Sequence, residues 1–147
     1  MFENLLRRLL APGPEVLPRP DAQLALAALL VRLARTDGHY DDAEVARIDA
    51  VLRARFVLGP FEAAHLRGQA ETLEEEAPDT VRFTRAIKEH VPYEERIGVI
   101  EALWTVALAD GRRDADEDGL MRMVAPMLGV EDADSALARQ RVEGRAT

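Results

Sequence analysis

The chain carries the same segment twice. Sliding the sequence by 73 positions, with no gap, brings Leu30 onto Leu103, Ala34 onto Ala107, Asp37 onto Asp110, Gly38 onto Gly111, Asp41 onto Asp114, Glu44 onto Glu117 and Val51 onto Val124. Leu24 and Ile97, Leu33 and Val106, and Ile48 and Met121 coincide as apolar pairs. What recurs is an apolar stretch, an aspartate-glycine turn and a second stretch with helical spacing, in units of about 24–55 and 97–128. Such a unit cannot bury its apolar face alone, so the two copies must pack on each other in one pseudo-symmetric helical domain.

The leading segment of the first copy, from Asp21 to about Thr36, is apolar on nearly every side and interrupted mainly by Arg32 and Arg35. A helix of that kind belongs in the centre of a bundle. Asp37-Gly38 stops it, and Asp41 opens a helix to about Arg55 with Val45, Ile48, Val51 and Leu52 inward. Gly59-Pro60 is a break followed by a helix from Phe61 to about Glu75, whose Glu74-Glu75-Glu76 end reads as a solvated face. Asp79 caps a helix over Thr80–Glu89, with Phe83 and Ile87 inward. Tyr93 begins a second central stripe of Ile97, Ile100, Leu103, Trp104 and Ala107, which Asp110-Gly111 ends. A helix from Asp114 to about Leu128, kinked near Pro126, and one from about Asp132 to Val142 complete the series. No stretch alternates as a strand does, so the expected fold is all-α, a single domain of about seven or eight helices over residues 21–147.

Residues 1–20 stand apart. Phe2, Leu5, Leu6, Leu9 and Leu10 recur at helical spacing with Arg7 and Arg8 on the other side, and Pro12, Pro14, Pro18 and Pro20 then forbid a continuous helix. This reads as an N-terminal amphipathic helix and a proline-rich linker. The helix either folds back onto the domain or reaches a membrane surface or a partner.

Composition narrows the chemistry. With 48% hydrophobic residues but only 5% aromatics, the core must be built from Leu, Val, Ile and Ala. The absence of cysteine removes disulfides, thiolate metal sites and thiol nucleophiles together. A net charge of −8 repels phosphate backbones and argues against nucleic acid as a partner. The start of the chain lacks the pattern of a secretory signal and is too short and charged to span a bilayer, so a cytoplasmic protein is expected.

The turns hold the candidate site. Gly38 and Gly111 stand where a helix ends and positive φ is often needed. Asp41 and Asp114 precede helices with Glu44 and Glu117 three residues later, a capping-box-like arrangement. Asp37 and Asp110 are different: they fall at helix C-termini, where the dipole disfavours a carboxylate by roughly 0.3–1 kcal/mol. An ion pair with Arg112 or Arg113 would offset that, and so would a cation shared with the neighbouring acids. Asp41 and Glu44 can face the same way while Asp37 approaches across the turn, so three oxygen ligands can converge. Such a set suits Mg²⁺, Ca²⁺ or Mn²⁺. The candidate metal residues are therefore Asp37, Asp41, Glu44, Asp110, Asp114 and Glu117, against the plainer reading that the acids only cap. Asp114, Asp116, Asp118 and Gly119 imitate the opening of an EF-hand loop, but Ala125 stands where its bidentate Glu belongs. His65 and His90 stand alone on polar helices and read as solvated, and Trp104 reads as core.

The repeated aspartate-glycine turns between apolar helices, with acids three and six residues beyond each glycine, resemble the TerB-like family associated with tellurite resistance. The N-terminal region of a membrane-anchored DnaJ-type co-chaperone is related to that family. The resemblance runs from about Asp21 to Leu128 and implies an all-helical, non-enzymatic module with an acidic, metal-binding centre, at work in stress or envelope-associated assemblies. His90-Val91-Pro92 does not supply the His-Pro-Asp motif of a J-domain, so a co-chaperone is not expected. Three functions follow in order: a module that binds a divalent cation, a scaffold that docks a protein partner on its acidic face, and a metal-dependent hydrolase. The last lacks a nucleophile motif and a phosphate-cradling loop.

Overall fold

A computed structural model describes residues 19–36, 40–77, 79–108 and 115–146, with the side chains of 19–21, 115–118 and 146 outside that description. Among the described residues there are seven helices and no strand: α1 (Arg19–Arg35), α2 (Asp42–Phe56), α3 (Pro60–Glu76), α4 (Val81–His90), α5 (Tyr93–Ala107), α6 (Ala115–Met127) and α7 (Asp132–Ala146). The expected N-terminal helix lies outside the described residues.

The two all-round apolar segments are the central helices. In α1, Ala22, every residue from Leu24 to Val31, and Leu33 and Ala34 are buried, and in α5 the buried set is Val99, Ile100, Ala102 to Trp104, Val106 and Ala107. They cross each other, and each gathers its own partners: α1 packs on α3 and α4, α5 on α7 and α6. Each fully buried Leu or Ile contributes about 1.5–3 kcal/mol. Duplicated positions meet matching fates. Leu30 and Leu103, Ala34 and Ala107, and Ile48 and Met121 are all buried.

The copies separate at the ends of α2 and α6. Helix α2 stops with Val57 at φ 54, where the Leu58 amide donates to the Arg53 carbonyl at 3.1 Å. After α6 the left-handed residue is Gly129 at φ 73, one position earlier in the 73-residue register, with the Val130 amide on the Ala125 carbonyl at 3.0 Å. Both are left-handed helix ends, but one uses glycine and the other a β-branched residue. A left-handed conformation costs an L-residue about 1–2 kcal/mol. Val57 is also 90% exposed, so no packing of its side chain offsets that cost.

Helix α6 runs through Pro126 and ends one residue later. Its backbone is already helical at Ala115, which removes the EF-hand reading, since a calcium loop would need residues 116 to 119 in an open turn.

Candidate functional site

Only part of the six-acid set can be located. Asp37, Asp110 and Asp114 lie outside the described residues, as do Arg112 and Arg113. Glu117 falls on α6, with its side chain outside the description. Asp41 and Glu44 are placed. Asp41 is the N-cap of α2, in extended backbone, and its Oδ1 accepts from the Glu44 amide at 3.1 Å. A cap of this kind is worth about 1 kcal/mol. Asp41 itself is exposed and Glu44 half-buried. Among the described residues no three His, Asp or Glu side chains gather closely enough to hold a metal ion.

What the structure adds is the frame around the first turn. Arg32 and Arg35 sit one turn apart on α1 and reach α3 together. Arg32 Nε donates to Glu74 Oε2 at 3.1 Å, and its Nη2 donates to the carbonyls of Glu74 at 3.0 Å and Ala77 at 2.7 Å. Arg35 Nη1 donates to Glu74 Oε1 at 2.6 Å, so one carboxylate is shared by two guanidinium groups. The Glu74 side chain is only 14% exposed. The expectation of a solvated Glu74–Glu76 face is therefore corrected at Glu74, which closes the α1–α3 seam. Glu76 is exposed, and Glu75 stays largely so with an oxygen 3.4 Å from Arg35.

The seam continues to the far side of the turn. Tyr40 follows it directly, and its hydroxyl donates to Glu71 Oε2 at 2.6 Å. Arg67 donates to the same oxygen at 3.1 Å and to Asp49 Oδ1 at 2.6 Å. The Arg35 guanidinium lies 4.8 Å from the centre of the Tyr40 ring. On the near side, the Thr36 hydroxyl donates to the Arg32 carbonyl at 2.7 Å. Residues on both flanks of Asp37–His39 are thus held, Tyr40 by α3 and Thr36 by the last turn of α1. Burial, followed by the hydrogen bond and charge of Glu71, pushes the Tyr40 phenol well above its ordinary range. Burial alone would lower the Arg35 pKa, but the hydrogen bond and charge of Glu74 outweigh it and the net shift is upward. Arg67 behaves likewise, with Asp49 the principal opposing partner.

Sequence reasoning did not find this frame. A signal was present: cations three apart on an otherwise apolar helix, and acids at Glu71 and Glu74 with the same spacing on α3. Two helices in register with complementary charge at matched spacing invite pairing. His90 is a second correction. It is half-buried, and its Nε2 is shielded from water with no hydrogen-bond partner among the described residues, so it is not a solvated surface histidine. Trp104 is core as expected, 6% exposed, with the Arg139 guanidinium 4.7 Å from its ring centre.

None of the described helices is long and apolar enough to cross a membrane. The family model described as tellurite resistance protein TerB matches residues 23–140. No curated protein and no solved structure matches.

Proposed function

The chain belongs to the TerB family, and from that premise we propose that it is a non-catalytic, tellurite-resistance-type module that takes a divalent cation on its duplicated acidic turns. The observation that carries the reading is the repeated acid, Asp37 and Asp110, two and three residues in sequence beyond the ends of α1 and α5 and each followed by an acid pair in the same register. Asp41 supports it further. Its Oδ1 caps α2, but the residue is exposed, so the other oxygen is open to a cation beside the turn. The ligands would be Asp37, Asp41 and Glu44 in the first turn and Asp110, Asp114 and Glu117 in the second, with water completing a shell suited to Mg²⁺, Ca²⁺ or Mn²⁺.

A second reading rests on the cap itself. The bond from the Glu44 amide to Asp41 shows one acid in a structural role, and an acidic face built from caps would dock a basic protein partner in stress-response or envelope-associated assemblies. The two readings part in a thermal scan with added Mn²⁺, Ca²⁺ or Mg²⁺. A bound cation at a hundredfold excess over its dissociation constant stabilises the fold by about 2.7 kcal/mol, and Asp37→Asn removes that shift. If none of the three ions moves the melting temperature, the cation reading is lost and the docking face stands in its place.

A further inference from the structure

At the N-terminal ends of the two central helices lies a partly open cavity of about 480 Å³, within the range of small-molecule sites. Leu26 of α1, Phe56 at the end of α2, Ile87 of α4 and Val99 of α5 form its apolar wall, and Arg55 and His90 line it as well. It has no residue in common with the acidic turns.

Arg55 is half-buried yet has no carboxylate within ion-pair distance among the described residues. Its one hydrogen bond among the described residues runs from Nη2 to the Glu95 carbonyl at 2.9 Å. Arg32, Arg35 and Arg67, by contrast, each meet a carboxylate at 2.6–3.1 Å. Room for the Arg55 guanidinium is made by Gly98, since a Cβ there would stand 2.7 Å from Nη1. The duplicated position is Ala25, which has a Cβ and is buried. Burial depresses the Arg55 pKa, and the more distant charges of Glu95 and Glu101 do not restore it. His90 Nε2, shielded and unbonded, is costly unless an acceptor or donor arrives, and the Arg55 guanidinium lines the same cavity without a carboxylate of its own. Glu95 also lines the rim, which disfavours a doubly charged phosphate and leaves room for a single negative charge.

We propose that this cavity binds an amphiphilic monocarboxylate, its head on Arg55 and His90 and its tail against Leu26, Phe56, Ile87 and Val99. Two N–H donors in a fixed fork match a carboxylate, and the apolar wall takes a short aliphatic chain.

The test uses the full chain with octanoate and, as its uncharged twin, octanol, followed by calorimetric titration and thermal shift. Octanoate should bind at least about tenfold more tightly than octanol, the least expected from one charge-assisted hydrogen bond. Gly98→Ala should leave the fold intact, since helix propensity improves and only the tip of Arg55 must move, yet it should weaken octanoate by a similar factor. Arg55→Met, which keeps the apolar stem, should abolish the preference for octanoate. Equal binding of octanoate and octanol would overturn the proposal in favour of a merely apolar pocket. Failure of octanoate to bind, or unaltered binding to Gly98→Ala, would overturn it as well.

Discussion

The two halves share a backbone plan but reverse its charge. In the first, the central helix α1 supplies the cations, Arg32 and Arg35, and the outer helix α3 supplies the shared acid, Glu74, with the Glu71 carbonyl as a further acceptor for Arg35. In the second, the central helix α5 supplies Glu101 and the outer helix α7 supplies Arg141 and Arg145, at 3.1 and 2.9 Å. None of the first seam's residues survives the 73-residue shift: Arg32 becomes Thr105, Arg35 becomes Leu108 and Glu71 becomes Gly144. The halves also differ in depth. Glu74 and its arginines are 14–25% exposed, whereas Arg141 and Arg145 are 44% and 65% exposed. The lesson is that duplication preserved apolar positions and left the polar seams free to be rebuilt. With opposite polarity, α7 laid on α1 would bring arginine to arginine, and α3 on α5 would bring glutamate to glutamate. Each outer helix therefore has one centre to dock on.

Difference in depth should make the first seam the stronger. Glu74→Gln should cost about 2–3 kcal/mol in urea unfolding, somewhat less than the loss of one partner from a fully buried pair, while Glu101→Gln should cost under about 1 kcal/mol. Equal losses would erase the contrast between the halves. The helix ends give a smaller and two-sided test. Gly129→Val should lose about 2 kcal/mol, because the new side chain meets Arg96 Nη1 at 2.8 Å in a left-handed backbone. Val57→Gly should instead gain about 0.5–1 kcal/mol, the relieved strain less the entropy that glycine adds to the unfolded chain. A loss at Val57→Gly would mean that the exposed side chain packs on something in solution.

The smallest effect is in pH dependence. Burial and Glu71 raise Tyr40 above its unfolded value of 10.0. The protonated phenol is thus favoured in the fold, its contribution is fully present below that value, and it is lost as pH rises beyond it. Tyr93, raised first by its hydrogen bond to Asp134, has the same sign. Unfolding midpoints followed upward from pH 10.0 should fall less steeply in Tyr40→Phe than in the parent. The change should exceed that of Tyr93→Phe, whose phenol is shifted chiefly by its one hydrogen bond to Asp134.

Much of the fold was legible because its strongest signals are periodic. Apolar positions every three or four residues fixed the central helices, and the repeat fixed their pairing. Helix starts at Tyr93 and Asp132 agree to the residue, while α1 begins two residues earlier than Asp21, since Pro20 is tolerated in a first helical turn. The Arg32–Glu74 seam was not legible in the same way, because periodicity tells which face of a helix is polar and not which neighbour it meets. Arg55 and His90 were missed for a related reason: their cavity joins residues 22–26, 55–57 and 87–99, stretches that only tertiary packing brings together. In the acidic set, Asp41 was read correctly as a cap.

The anchoring of Thr36 and Tyr40 bounds what the first turn can demand of anything that binds it. Only residues 37 to 39 separate the two clamps, and fixing one residue's backbone costs about 1–2 kcal/mol. A guest at this turn therefore meets flanks that are already held, and none of its attraction is spent on ordering them.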